Sequence, residues 1–268
     1  MPQPLATINF ATFLSPVLHK TYEYIACYIG KQTGLPASLS IGQSLEDFAT
    51  GTVSVGFLCG LLYVRVTDRP GCPLELLAAP VLQGQRYQHR PVYYSDLIVR
   101  NDSPYTTFDD LRGCMWAYNE RTSHSGCNLV CYSLLERRKS PAYFGETVVT
   151  GSHLQSLQAV LEGRAHAAAL DSHMLDVLLL EKPELAAKIR VIDMLGPSTI
   201  PPIVVAKKLD ARIKRRIQAT LISMHEDPRA ASELRKGLIE RFVPVCDEDY
   251  DDIRAMLARV QEIEFSFV

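Results

Sequence analysis

The chain has 268 residues, with 28 Lys+Arg against 30 Asp+Glu, a formal charge of −2, and 47% apolar residues. Such a length holds one large domain or two smaller ones, each with a real core. The near-neutral balance, with no basic stripe along the chain, argues against a nucleic-acid binder, and no apolar run reaches the ~18 residues of a membrane span.

In chain order, Ala6 to Phe10 reads as a strand, and Val17 to Gly30 carries apolar residues at helical spacing up to a glycine stop. Ala37 to Ile41 reads as a strand and Leu45 to Phe48 as a short helix. Val53 to Leu58 is an apolar run of strand length, followed by β segments around Leu74 to Leu82 and Val92 to Val99. Next come a capped short helix at Thr107 to Leu111, a strand at Cys114 to Tyr118 and a helix at Asn128 to Arg137. The alternation continues with strand Glu146 to Thr150, helix Leu154 to Leu161, strand Ala167 to Leu170, helix Met174 to Leu180 and strand Ile189 to Met194. Pro201 to Ala206 returns as a strand, Asp210 opens a helix towards Ser223, and a last helix runs through Arg254 to Val260.

Strands alternating with helices imply an α/β fold with mostly parallel sheets. The distribution suggests two lobes: residues 1–96 with 201–268 as the first, and 97–200 as the second. Crossovers near Val92 to Arg100 and Pro197 to Ala206 would form a hinge, the arrangement of a protein that closes over a ligand. A single doubly wound sheet is the alternative.

Met1 to Phe10 lacks the cationic start and long apolar segment of a secretory signal. The expected compartment is the cytoplasm if Met1 is the native start, and the periplasm if a leader was removed. The cysteines Cys27, Cys59, Cys72, Cys114, Cys127, Cys131 and Cys246 are odd in number and irregular in spacing, which does not resemble a disulfide framework. Most are expected to be small buried hydrophobes, and their number favours a reducing compartment.

Three segments could carry chemistry. In Cys114 to Val130 an apolar strand runs through the polar loop Asn119 to Gly126 directly into a helix. Unpaired N–H groups at a helix start, with hydroxyls of Ser123 and Ser125 and close backbone approach at Gly126, could hold an anion without Lys or Arg. Plain capping by either serine is the competing reading. Val148 to Gln158 repeats strand, Gly-Ser turn and helix, with Ser152 as a cap and His153 in the first turn. Asp171 follows a small apolar strand, as a ligand contact or as the cap of the next helix. In parallel sheets such turns share the carboxyl edge, where ligands bind.

The ordered set YYSDLIVRNDSP (Tyr93 to Pro104), FDDLRG (Phe108 to Gly113), SHSG (Ser123 to Gly126), TGSH (Thr150 to His153) and AALDS (Ala168 to Ser172) resembles the phosphonate/phosphite/phosphate-binding proteins of ABC transporters. The likeness spans roughly residues 5–225, including KQTG (Lys31 to Gly34) and VGFLCGLLYV (Val55 to Val64). It implies the two-lobe type II periplasmic-binding-protein fold and a small oxyanion as ligand. Carried over, the oxyanion donors are Ser123, His124, Ser125, Gly126 and His153, with Tyr63 facing them from the first lobe and Tyr94 on the crossover strand. Asp171 would accept from a protonated ligand oxygen or pair with a ligand amine. The partner would be an ABC permease or, for a cytosolic sensor, a signalling protein.

Two positions depart from the family pattern, His124 replacing a threonine and His166 an aspartate. They bring His124, His153, His166 and His173 into one lobe, without the spacing of a metal site. Cys127 and Cys131, four apart, have the spacing to take a soft metal but read better as packing. No cofactor fingerprint or nucleophile–base pair is visible, so the expectation is a binder and not an enzyme. A cytoplasmic enzyme on this scaffold, of the menaquinone or thiamine-precursor type, is the alternative.

Overall fold

The computed structural model describes residues 7–262. Ala6, expected to open the first strand, and residues 1–6 of the stretch read for a leader lie outside it. The chain divides into two compact units: the described residues through Val92 with Thr199–Tyr250, and Tyr93–Ser198 with the described residues from Asp251.

The first unit begins with β1 (Ile8–Thr12), α1 (His19–Thr33), β2 (Ala37–Ile41), α2 (Glu46–Thr50), β3 (Val55–Phe57), α3 (Gly60–Thr67) and β4 (Leu74–Leu82). The second unit runs β5 (Val92–Arg100), β6 (Met115–Tyr118), α4 (Leu129–Glu136), β7 (Glu146–Val149), α5 (His153–Leu161), β8 (Ala167–Asp171), α6 (Ser172–Glu181) and β9 (Ile189–Thr199). The chain then returns to the first unit as β10 (Ile203–Ala206), α7 (Ala211–Ser223), α8 (Pro228–Lys236) and β11 (Ile239–Val243), and ends in the second as α9 (Asp251–Glu262).

The first sheet has the order β11-β4-β10-β3-β1-β2. β1 pairs in parallel with β2 and β3, but β10 runs antiparallel between β3 and β4, and β11 antiparallel to β4. Mostly parallel sheets were expected, and this one is mixed, because the returning chain inserts a strand instead of adding one beyond a helix. Aromatic rings fill its core, with Tyr22 stacked on Phe57 at 4.0 Å between centroids.

The second sheet has the order β7-β6-β8-β5-β9. β6 is parallel to both β7 and β8, while β5 runs antiparallel to β8. β8 is built from alanines, poor strand formers, yet Ala167, Ala168 and Ala169 are fully buried between β6 and β5. Burial on both faces overrides local propensity there. The core of this unit gathers Trp116, Tyr118, Leu129, Val130 and Leu134, with Trp116 stacked on Phe144 at 4.3 Å.

Met256 and Val260 of α9 pack against that same core. The last helix therefore groups with the second unit, not with the lobe of residues 201–268 expected from sequence, and the chain passes between units three times. Three other features differ from expectation. α3, α8 and β11 lie in segments given no element; of the seven cysteines only Cys114, Cys127 and Cys131 are buried. Lys207 to Arg216 is also a basic stretch, and α7 exposes Arg212, Arg215 and Arg216.

Candidate functional site

Three parallel strands of the second unit deliver three turns to one sheet edge. Because β6 lies between β7 and β8, the loop after β6 is central, flanked by the turn before α5 and by Asp171 at the end of β8. Backbone bonds tie these turns together. Thr150 N–H donates to the Tyr118 carbonyl at 2.9 Å and Gly151 N–H to the Asn119 carbonyl at 2.8 Å. On the other side, Ser95 of β5 faces Asp171 in register, and its hydroxyl donates to the Ser125 carbonyl at 2.7 Å. Ser95 is fully buried, so it pins the central loop beside the end of β8.

The loop enters its helix through a π turn at His124–Asn128. Asn128 N–H donates to the Ser123 carbonyl five residues back at 3.1 Å, and Ser123 Oγ accepts from Gly126 N–H at 3.1 Å. Such wide turns gather at functional sites because they splay backbone groups away from the helix ladder. Gly126 is required by contact: a Cβ there would sit 1.9 Å from Asn119 Oδ1 and 3.2 Å from Ser123 Oγ. Asn119 Oδ1 is buried and makes no hydrogen bond.

Ser125 Oγ lies 3.1 Å from His153 Nε2, on the first residue of α5. Burial pushes the His153 pKa down to about 4, with the Ala169 carbonyl pulling weakly upward. Its Nδ1 is buried and makes no hydrogen bond. Ser152 caps α5 by accepting from Gln155 N–H. Asp171 caps α6, accepting from Met174 N–H at 2.9 Å. Burial, and after it the charges of Asp96 and Asp176, push its pKa up to about 6 against the lowering effect of that N–H and of His173 N–H. The edge thus combines hydroxyls, a neutral imidazole and helix-start N–H groups with a carboxyl whose pKa is raised to about 6; Glu120 and Arg121 stand exposed on the loop.

A model of the family described as the phosphonate periplasmic substrate-binding protein of ABC transporters matches residues 9–250. The chain belongs to that family. The fold agrees. The binding protein component of an ABC phosphonate transporter from Pseudomonas aeruginosa is 19% identical at a TM-score of 0.84, covering 97% of this chain and 88% of its own. PhnD1 from Prochlorococcus marinus, solved with methylphosphonate, is 14% identical at a TM-score of 0.81, covering 97% and 99%. The aliphatic sulphonate binding protein SsuA from Escherichia coli, 14% identical, has a TM-score of 0.60 and covers 97% and 88%. The architecture is the two-lobe type II periplasmic-binding-protein fold.

In this binding protein the residues expected to touch ligand separate into groups. Ser123, Ser125, Gly126, His153 and Asp171 share the edge just described. Tyr94 lies next to Ser95 on β5, and its N–H donates to Ser172 Oγ at 3.0 Å. Tyr63 belongs to the first unit, on α3, where its hydroxyl donates to Asp247 Oδ1 at 2.5 Å and its ring lies 5.0 Å from that of Tyr250.

His124 plays a different part from the expected oxyanion contact. It is fully enclosed, its Nε2 lies 2.8 Å from Ser198 Oγ, and Asn128 Nδ2 lies 3.3 Å from its Nδ1. Ser198 in turn donates to Asp252 Oδ2 at 2.9 Å. With Ser198 as donor to Asp252, the ring is the Nε2–H tautomer and both nitrogens are engaged. Burial depresses its pKa to about 4 despite the charge of Asp252. The imidazole therefore ties the π turn to β9 and α9.

His166 is exposed at the opposite end of β8, where its Nδ1 accepts from Met115 N–H at 3.0 Å. Among the described residues no group of three or more His, Cys, Asp or Glu is placed to hold a metal. Cys127 and Cys131 join Cys114 in the core of the second unit.

Sequence reasoning missed Ser95, Asn119 and the Ser198–Asp252 pair. Asn119 was within reach, since an amide at a strand end just before a serine-glycine helix start is a turn signal. The other three become neighbours only through pairing of β5 with β8 and packing of α9.

Proposed function

We propose that this protein binds a small oxyanion of the phosphonate, phosphite or phosphate type and hands it to an ABC permease in the periplasm. The observation that carries the reading is the π-turn helix start, where Ser123, Ser125 and Gly126 converge with His153 at one sheet edge. Neutral hydroxyls and backbone N–H groups suit a tetrahedral oxyanion, since a helix start adds partial positive charge without a cation to desolvate. Methylphosphonate is bound by the Prochlorococcus relative, which makes it the first ligand to try. Tyr63 and Tyr94 complete the binding set in this reading, with the two units closing on the ligand.

Asp171 sets the preference among ligands. A carboxylate beside a dianion is repulsive, so it favours a ligand with a protonated oxygen or an amine. The test is calorimetry of methylphosphonate, phosphite, phosphate and an aminoalkylphosphonate with the wild-type protein and Asp171→Asn. Saturation by at least one oxyanion, with a changed ligand order or pH dependence in the variant, is the expected result. No binding by any of the four would refute the reading.

A further inference from the structure

The hydrogen bond between Ser125 Oγ and His153 Nε2 has two possible directions, and only one suits an anion. If the hydroxyl donates to Nε2, Ser125 presents bare lone pairs to a ligand. For the hydroxyl to donate to an oxyanion, Nε2 must carry hydrogen and donate to Ser125. A neutral imidazole has a single N–H, so Nδ1 is then a bare acceptor. That atom is buried without a hydrogen bond, and the backbone group acting on the ring is the Ala169 carbonyl, another acceptor. Both conditions are met together only when the ring carries two hydrogens.

We propose that His153 takes up one proton when the protein binds a dianionic ligand, so the ligand and a proton are captured together. The inference rests on the oxyanion reading above. The proton comes from solvent and ends on the imidazole, which becomes imidazolium, and no bond of the ligand breaks. In the free protein the ring is neutral, because burial penalises its charged form. A dianion at Ser125 supplies the compensating charge. The titratable groups at this edge are Tyr118, ending β6; Glu120 and Arg121, exposed after it; His124, already engaged with Ser198; Asp171, after β8; and Asp96 and Asp176, whose charges act on Asp171. Asp171 competes for the same proton and is the group to distinguish from His153.

The test is titration calorimetry with methylphosphonate across alkaline pH, where the ligand is fully dianionic, in two buffers of different ionisation enthalpy. Histidine-selective nitrogen NMR of the free and saturated wild-type protein accompanies it. The expected results are uptake of about one proton per ligand, affinity falling about tenfold per pH unit, and a His153 imidazolium signal in the complex alone. His153→Gln keeps an amide donor but cannot take the proton, so its weaker binding should lose the pH slope. Should that variant fail to fold, the wild-type NMR signal decides.

Tight binding of the dianion without proton uptake would overturn the proposal. Uptake that persists in His153→Gln would also do so, placing the proton on Asp171 or the ligand. If methylphosphonate, phosphite and phosphate all fail to bind at every pH, the oxyanion reading falls first, and the proton with it.

Discussion

Replacing Gly126 by alanine sets two effects of opposite sign against each other. Within a helix, Gly→Ala ordinarily gains about 1 kcal/mol by limiting the unfolded chain and improving helix propensity. Here the new Cβ would stand 1.9 Å from Asn119 Oδ1 and 3.0 Å from its Cγ, well inside contact distance. Asn119 is 7% exposed and sits at the end of β6, so it cannot swing into solvent without loosening the loop. An overlap at 1.9 Å belongs to the upper part of the overpacking range, about 2–3 kcal/mol, which should leave the variant about 1–2 kcal/mol less stable once the helix gain is subtracted. For a protein of this size that corresponds to a fall of about 2–8 °C in Tm.

The cycle with Asn119→Ala makes the reasoning sharp, because that second change removes the obstructing amide. In the Asn119→Ala background, Gly126→Ala should become stabilising, recovering the ordinary helix gain. Thermal unfolding of the four proteins measures it. An unchanged or raised Tm for Gly126→Ala alone, or the same loss in both backgrounds, would refute the close-approach explanation of this glycine.

Other outcomes follow from the same edge. Ser95→Ala removes the donor to the buried Ser125 carbonyl and should cost about 1–2 kcal/mol, together with weaker oxyanion binding, read by denaturant unfolding and calorimetry; unchanged affinity would mean that Ser95 does not hold the loop. His124→Leu leaves Ser198, Asn128 and Asp252 without the imidazole, and should destabilise by about 2–4 kcal/mol; an equally stable variant would mean that the network holds nothing.

The pH dependence has a defined sign. His124 and His153 titrate at about 4 in the fold, below the ordinary histidine value, so the unfolded chain binds their protons first and stability falls as pH drops from about 6.5 to 4. Asp171, raised to about 6, acts oppositely, its contribution being present below the unfolded carboxyl value and lost as pH rises to 6. Two histidines against one aspartate leave a net slope of about 1.4 kcal/mol per pH unit between pH 4 and 6, steeper in Asp171→Asn and flatter in His124→Leu. Unfolding midpoints across that range check it, and a slope unaffected by either variant would contradict the assignment.

How much of this was legible in the sequence depends on whether the signal was local. The strand-loop-helix order from Cys114 through His153 to Asp171 carried its own punctuation, so the shared edge of Ser123, Ser125 and His153 could be anticipated. The ordered motifs identified the family as well. Asp227-Pro228 followed by Gly237 is equally local, a cap, a first-turn proline and a stop, and α8 was there to be read. α3 hid in a continuous apolar run whose helical period is masked by leucines and valines on every face. β10 and α9 were different: which sheet a returning strand enters, and which core a last helix covers, depend on packing partners far away in the chain. His124 shows the same limit. Its place in a ligand motif suggested contact with an oxyanion, yet Ser198 and Asp252, 74 and 128 residues downstream, decide what it does.

The central claim is that the helix start at Ser123–Gly126, with His153, holds an oxyanion. Its most direct measurement is calorimetric titration of methylphosphonate into the wild-type protein and into Ser125→Ala, at a pH where both are folded. Saturable one-to-one binding by the wild type, reduced at least tenfold in Ser125→Ala, is the expected result. Equal affinity in the two proteins would contradict the claim, because a ligand indifferent to Ser125 Oγ is not held at this edge.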